Sequence, residues 1–262
     1  MAVIYGYKFG VSGQTNIGEW RIVSHNVVPI DLATSLTGQA SVTLAGTEDW
    51  QGQCTGFGYA PSVNPGETFT FSGMLDKPGT DGVGATGPAI VVSVTVSVSY
   101  EQNGPIQWMM EFAGNGPLSY GVVTVTDSGA PTWTPACSAN VLINGGVPDD
   151  LSLIVLTVQN GAIRYNAAGA SCGYFRRVAG PYSAASKMEY FHNGTRPHSL
   201  GDLIRIQIGG WDVNPLRIVN VEGYGVRGRD ESPPRVAYTS VFAGYTSGGT
   251  KGAIVTPNGA VW

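Results

Sequence analysis

The chain has 262 residues, enough to bury one large hydrophobic core or two ordinary ones. Its 42% apolar residues exclude a disordered chain, and the sequence has no run of about 18 apolar residues that would predict an ordinary transmembrane helix. Only 12% of residues are charged, about half the usual share, so Ser, Thr, Asn, Gln and Gly must form much of the surface.

Charge is distributed unevenly between the two halves. Residues 1–150 carry three basic and twelve acidic side chains, a net charge of −9, whereas residues 151–262 carry eleven basic and six acidic ones, a net charge of +5. Complementary halves favour head-to-tail contacts between copies, the type of interface that generates rings or helical arrays. Two modules that merely differ in isoelectric point would show the same asymmetry. Neither half has a Lys and Arg cluster dense enough to predict nucleic-acid binding.

The first residues and the cysteines predict the compartment of synthesis. The opening stretch MAVIYGYKFG lacks the basic and apolar segments of a secretory signal peptide, so we expect synthesis in a cytosol without export by that route. Cys54, Cys137 and Cys172 are then expected to be free thiols, because cytosolic thiols are kept reduced.

Alternating apolar and polar residues predict β-strands along the whole chain. The clearest is VVSVTVSVSY, residues 91–100, in which valines face one side and Ser or Thr the other. Similar alternation occurs at 40–44, 67–73, 121–127, 153–158, 203–208 and 216–221. Turn signals such as NPGE, KPGTDG and GNGP separate these segments at the spacing of a sandwich or barrel, which predicts an all-β protein. Residues 181–191 are interpreted as one short helix at most, and a strand fits them equally well.

Five landmarks recur in the same order in the two halves of the chain. They are 42–44 with 156–158, Cys54 with Cys172, 66–71 with 201–206, the strand before Tyr100 with the one before Tyr224, and 112–114 with 242–244. We therefore predict two tandem, related β-sandwich domains of jelly-roll type, an acidic module at 1–145 and a basic module at 146–262. Cys54 and Cys172, as equivalent residues of different modules, should not form a disulfide with each other.

Two enzyme-like patterns lack the context that their chemistry requires. GVGATG, residues 82–87, matches the dinucleotide-binding pattern, but Pro88 and a long strand follow it where a helix is needed, so we expect a loop. GASCG, residues 169–173, places Ser171 like the nucleophile of a hydrolase, but the surrounding chain does not alternate strands and helices. His192 and His198 do not have the spacing of common zinc signatures. We predict no catalytic site, metal or cofactor.

Tryptophans in turn-rich segments are the candidate binding residues. Trp50, Trp108 and Trp211 lie next to Asp, Asn or Gln, and sugars are bound by aromatic stacking combined with hydrogen bonds. Core packing or an assembly contact is the commoner role of large aromatic residues, so these alternatives stay open. Trp262 directly follows the last predicted strand and is a candidate assembly contact, held against a neighbour.

Two family resemblances guide the functional expectation. Residues 63–77, VNPGETFTFSGMLDK, followed by 90–104, IVVSVTVSVSYEQNG, resemble jelly-roll carbohydrate-binding modules. Residues 29–46, PIDLATSLTGQASVTLAG, resemble the opening of minor tail proteins from phages of actinobacteria. The second resemblance implies a protein that is made in the host cytoplasm and ends in the virion without an export signal.

We therefore expect a non-enzymatic virion protein of a tailed phage, either a minor tail or tail-tip protein or a head decoration protein. Its expected partners are other virion proteins, further copies of itself in head-to-tail contact, and a host-surface glycan. The alternative is a bacterial carbohydrate-binding protein, and a third hypothesis is a serine hydrolase that uses Ser171. Whether the N-terminal strand, residues 3–9, pairs within its own chain or with a neighbour stays open.

Overall fold

The computed structural model describes residues 4–11, 14–33, 41–58, 63–75, 81–101, 103–125, 135–165, 173–192, 196–224 and 234–262. Within these residues the regular structure is β-strand apart from a short 3-10 helix at Ala136–Ser138, which confirms the all-β prediction. The strands are β1 Ile4–Val11, β2 Gln14–Ala33, β3 Ser41–Phe57, β4 Thr68–Met74, β5 Asp81–Ser99, β6 Gln107–Gly114, β7 Ser119–Thr124, β8 Leu142–Ile143, β9 Leu151–Asn160, β10 Ile163–Tyr165, β11 Arg176–Val178, β12 Tyr182–Phe191, β13 Leu203–Ile208, β14 Trp211–Tyr224, β15 Arg235–Phe242 and β16 Ala253–Val255.

The segment interpreted as a short helix at most is strand β12. Ala184, Ser186, Met188 and Tyr190 are buried, while the residues between them are exposed or half-buried. A burial period of two fits a strand with one face on the core, and this long-range packing outweighs the helix-forming residues at the start of the segment.

Fourteen of the strands form one antiparallel sheet, and β10 and β11 form a separate hairpin. The order along the sheet is β4-β1-β2-β3-β6-β5-β9-β12-β15-β14-β13-β8, with β7 added to β5 and β16 added to β14. Because β4 pairs with both β1 and β5, the first six strands close into a ring. The N-terminal strand β1 thus pairs within its own chain, with β2 and β4.

Strand β5 joins the ring to the rest of the sheet. Along one edge of β5, the residues up to Ile90 pair with β4. Further along the same edge, residues 93–99 pair with β9. The other side carries β7 and then β6. A β-bulge between Val91 and Ser93 separates the two parts on the β6 side. Bulges bend a strand, which lets one long strand take part in two differently oriented sets of neighbours.

One hydrophobic cluster packs against this sheet and includes residues from before and after position 145. It contains Trp20 and Phe112 from the first half and Ile154, Leu156 and Tyr238 from the second, all at most 1% exposed. The structure therefore shows a single large sheet over a shared core. It gives no evidence of two tandem domains with the predicted boundary at residue 145.

Ion pairs join the oppositely charged halves within the chain. Arg177 of β11 lies 2.6 Å from the Asp49 carboxylate of β3, and Arg164 of β10 lies 3.1 Å from it. Arg235 of β15 lies 2.5 Å from Glu101. Part of the charge complementarity seen in the sequence therefore acts between the halves of one molecule.

Asp49→Asn should lower the free energy of unfolding by about 3 kcal/mol, because it leaves the Arg177 guanidinium buried without its counter-charge. The Arg177 side chain is only 6% exposed. The matched control is Asp212→Asn, whose partner Arg205 is 45% exposed, and an exposed pair contributes about 1 kcal/mol or less. Urea unfolding monitored by tryptophan fluorescence measures both. Equal losses in the two variants would contradict a structural role for the Asp49 pair.

Candidate functional site

The three tryptophans proposed for sugar stacking belong to the core. Trp50, Trp108 and Trp211 are 1%, 3% and 2% exposed. The Trp50 indole donates a hydrogen bond to the Gly116 carbonyl at 2.8 Å and packs edge-on against Phe112. No ring face of these residues is available to a sugar, so core packing describes their role.

Trp262 is held by its own chain. Its ring stacks on Tyr182 with 3.9 Å between centroids, and its backbone exchanges hydrogen bonds with Ile254 at 3.1 and 3.2 Å. This arrangement fixes the last residue against β12 and β16. Its role as an assembly contact stays a prediction.

The residues proposed for hydrolysis or metal binding are not assembled into a site by the described part of the chain. Ser171 and Cys172 lie outside the described residues. Among the residues that are described, no group of three or more His, Cys, Asp or Glu side chains is placed to hold a metal ion. Cys54 is fully buried, and burial raises the pKa of its thiol, which disfavours the reactive thiolate.

A surface cluster of His25, Glu48 and Tyr120 was not found from the sequence, because its members come from β2, β3 and β7. His25 lies 2.9 Å from the Tyr120 hydroxyl through Nδ1 and 3.0 Å from the Glu48 carboxylate through Nε2. Burial, followed by the Glu48 charge, raises the pKa of Tyr120. A raised pKa keeps the phenol protonated, so the geometry favours a structural hydrogen-bond network over an activated nucleophile.

A second cluster lies beside a cavity of about 310 Å³ in the second half. The Tyr190 hydroxyl lies 3.2 Å from His198 Nε2, and Tyr238 packs edge-on against both rings. Burial raises the pKa of Tyr190 and lowers the pKa of His198, although the Asp202 charge opposes the second shift. Polar and aromatic side chains line this cavity together: Asn144, Asp149, Asp150, Tyr190, Phe191 and His198.

Two strand edges without a described partner are the most distinctive surface feature. We call the side of β14 that faces away from β15, from Asn220 to Tyr224, the β14 edge, and the side of β2 that faces away from β3, from Ser24 to Ala33, the β2 edge. No strand in the described part of the chain pairs with either edge. Exposed valines accompany them: Val219 is 45% exposed, and Val23 and Val27 are 44% and 50% exposed. Unpaired edges of this type are templates for another strand.

Comparisons with known proteins find no family model that matches the chain and no curated protein that is significantly similar to it. No described segment forms a helix long and apolar enough to cross a membrane.

Folding stability should fall with pH below about 6.5, the pKa of an unfolded histidine. Because burial lowers the pKa of His198, the unfolded chain takes up a proton at this pH before the folded chain does, and folding loses free energy as pH decreases. His198→Gln removes this group, so its urea midpoint should depend less on pH between about 7.5 and 5.5 than that of the wild type. Parallel profiles for the two proteins would refute this assignment.

Proposed function

We propose that the chain is a non-enzymatic structural protein that assembles through repeated protein contacts, in the virion of a tailed phage. The proposed position is the tail tip or a minor tail protein, with head decoration as the other position in the particle. The observation that carries the proposal is the sheet with the exposed β14 and β2 edges at its two halves. The surface poor in charge and the resemblance of residues 29–46 to minor tail proteins support it further.

We also propose that the two halves are related copies of one seven-strand unit. Their pairing orders support this: β2-β3-β6-β5-β4 in the first half corresponds to β9-β12-β15-β14-β13 in the second. The additions correspond as well, since β1 pairs with β4 as β8 pairs with β13, and β7 pairs with β5 as β16 pairs with β14. The β10–β11 hairpin is then an insertion in the second unit.

The turn that leads into β4 supports the relation in detail. The Asn64 amide donates to the Glu67 carboxylate at 3.0 Å, and the Glu67 amide donates back to the Asn64 carbonyl at 3.0 Å. Gly66, at φ +86°, donates to the Val91 carbonyl, and the Val91 amide donates to the Glu67 carbonyl. A glycine fits here because L side chains rarely adopt this φ.

The turn that leads into β13 repeats each of these bonds. The Ser199 amide donates to the Asp202 carboxylate at 2.6 Å, and the Asp202 amide donates to the Ser199 carbonyl at 3.2 Å. Gly201, at φ +91°, donates to the Ile218 carbonyl, and the Ile218 amide donates to the Asp202 carbonyl. The β14 bulge then follows directly after Ile218, as the β5 bulge follows Val91.

Rows of paired residues that run across the sheet indicate which positions of the first half correspond to which positions of the second half. In the first half Val94, Met110, Cys54 and Trp20 pair in succession. In the second half Val221, Tyr238, Met188 and Ile154 do the same. This correspondence places Met188 where Cys54 lies and shifts the two Phe-Ala-Gly segments by two residues relative to each other. The landmarks at Cys172 and at 242–244 are thus not the counterparts that the strand pairing gives.

Light scattering of the purified protein tests the assembly proposal. We expect a mass well above the 27.4 kDa of one chain, rising with protein concentration. Salt at about 1 M, which shortens the screening length to about 3 Å, should reduce the mass because unlike halves attract less strongly. A monomer at every concentration and at low salt would contradict the proposed function.

A carbohydrate-binding protein is the second candidate, and the cavity beside Tyr190 and His198 favours it. The carboxylates and the amide at this cavity are groups that bind sugars by hydrogen bonds, and Phe191 is a half-buried aromatic ring beside them. Asp149 is an exposed carboxylate at this cavity. Glu19, an exposed carboxylate in the first half of the chain, serves as the matched control. If a glycan binds here, Asp149→Ala should weaken its affinity about tenfold, the effect of one lost hydrogen bond to a charged group, and Glu19→Ala should not. A glycan array followed by calorimetry measures this, and no saturable binding would remove the candidate.

A further inference from the structure

The cavity of about 310 Å³ beside Tyr190 and His198 has carboxylates in its wall. Asp149 is exposed there, and its carboxylate has no hydrogen-bond or ion-pair partner among the described residues. Asp150 adds a second carboxylate, and the described lining residues include no Lys or Arg. An ionised carboxylate only accepts hydrogen bonds. The cavity therefore offers negative charge and acceptor atoms to a ligand.

The histidine of the cavity does not offset this charge at neutral pH. Burial lowers the pKa of His198, although the Asp202 charge opposes the shift, so the neutral ring predominates near pH 7. Tyr190 is 3% exposed, and burial raises the pKa of its phenol, which keeps its proton. The Tyr190 hydroxyl therefore donates to His198 Nε2 at 3.2 Å. This pair adds no charge to the cavity.

Two arginines that contact lining residues are held by carboxylates of the same chain. Arg205, next to Asn144, forms an ion pair with Asp212. Arg235, beside the Phe191 ring, lies 2.5 Å from Glu101. These pairings leave the negative charge of the cavity to a ligand.

A buried hydroxyl beside the cavity has no hydrogen-bond partner. Tyr238 is 0% exposed, and its ring packs against those of Tyr190 and His198, with 5.7 and 5.4 Å between centroids. Although the hydroxyl is close to the His198 backbone, no described group forms a hydrogen bond of normal geometry with it. The charges of Arg196 and Asp202 act on its pKa in opposite directions, after the larger effect of burial. A buried polar group of this kind points to a ligand or an ordered water nearby.

We infer that this cavity binds a sugar that carries a protonated amine, with the ammonium group at Asp149. An ammonium group has donors and no acceptor, which fits a wall rich in acceptors. Asn144 supplies a donor for a sugar hydroxyl: its Oδ1 accepts the Arg205 amide at 2.8 Å, which leaves its NH2 group for the ligand. The half-buried Phe191 ring lies beside these groups. The inference rests on the carbohydrate-binding candidate and names its ligand class.

A lysine side chain of a protein partner would present the same ammonium group. It has no hydroxyl to accept from the Asn144 amide and no ring to pack on Phe191, so it would use less of the lining. The arrangement of the cavity therefore favours the amino sugar.

Calorimetry with two matched oligosaccharides tests the inference. A tetramer of glucosamine and a tetramer of N-acetylglucosamine share one backbone, but only the first carries protonated amines at about pH 6. The wild type should bind the glucosamine tetramer at least about tenfold more tightly, the effect of one hydrogen bond between charged groups. Salt at about 1 M should reduce this difference, because it screens the attraction.

A charge-removing variant assigns the effect to the cavity. Asp149→Asn keeps the size of the side chain and should weaken binding of the glucosamine tetramer about tenfold, without a change for the N-acetylglucosamine tetramer. Glu19→Gln removes an exposed carboxylate from the first half of the chain and should change neither affinity. Circular dichroism verifies that both variants fold. If Asp149→Asn does not fold, the comparison of the two tetramers on the wild type decides the inference.

The outcomes separate the inference from the function on which it rests. Equal affinity of the wild type for the two tetramers, or unchanged affinity in Asp149→Asn, would overturn the inference and leave the carbohydrate-binding candidate standing. A trilysine peptide that binds as tightly as the glucosamine tetramer would overturn the choice of a sugar. If no glycan of any kind binds, the inference and the candidate fail together.

Discussion

The backbone pairing between β5 and β9 is the interaction on which the rest of the structure depends. Strand β5 closes the ring of the first six strands with one part and carries the second half of the chain with the other. Its inward residues Val94 and Val98 are at most 1% exposed, and on the outer face the Thr95 and Thr157 hydroxyls lie 2.9 Å apart. The Arg177–Asp49 pair holds the same two halves at a second place. Backbone hydrogen bonds, a shared core and a buried ion pair therefore hold the two halves of the chain together.

This construction gives the edges of the sheet their significance. Edge strands of monomeric proteins usually carry lysines, prolines or inward-pointing charges that prevent further pairing. Here Val219 accompanies the β14 edge, and Val23 and Val27 accompany the β2 edge, which does carry one such residue, Pro29. Low charge content and oppositely charged halves fit the proposed assembly.

The sequence predicted the local structure better than the arrangement of the strands. Alternation identified strands such as β5, β9 and β13, because a burial period of two is a property of consecutive residues. It could not show that Trp50 and Trp108 are buried, because their neighbours come from distant strands. The cavity beside Tyr190 unites residues 143–150 with residues 190–198. The repeat landmarks at Cys54 and Phe-Ala-Gly were chosen by residue identity alone, whereas the proposed relation between the halves follows the strand register, which bulges and turns set.

Amide hydrogen exchange at single residues tests most directly the claim that β5 and β9 join the two halves of the chain. The amides of Val94 and Val96 should be strongly protected, because these residues pair with Val158 and Leu156 of β9. Rapid exchange at both amides under native conditions would contradict this claim.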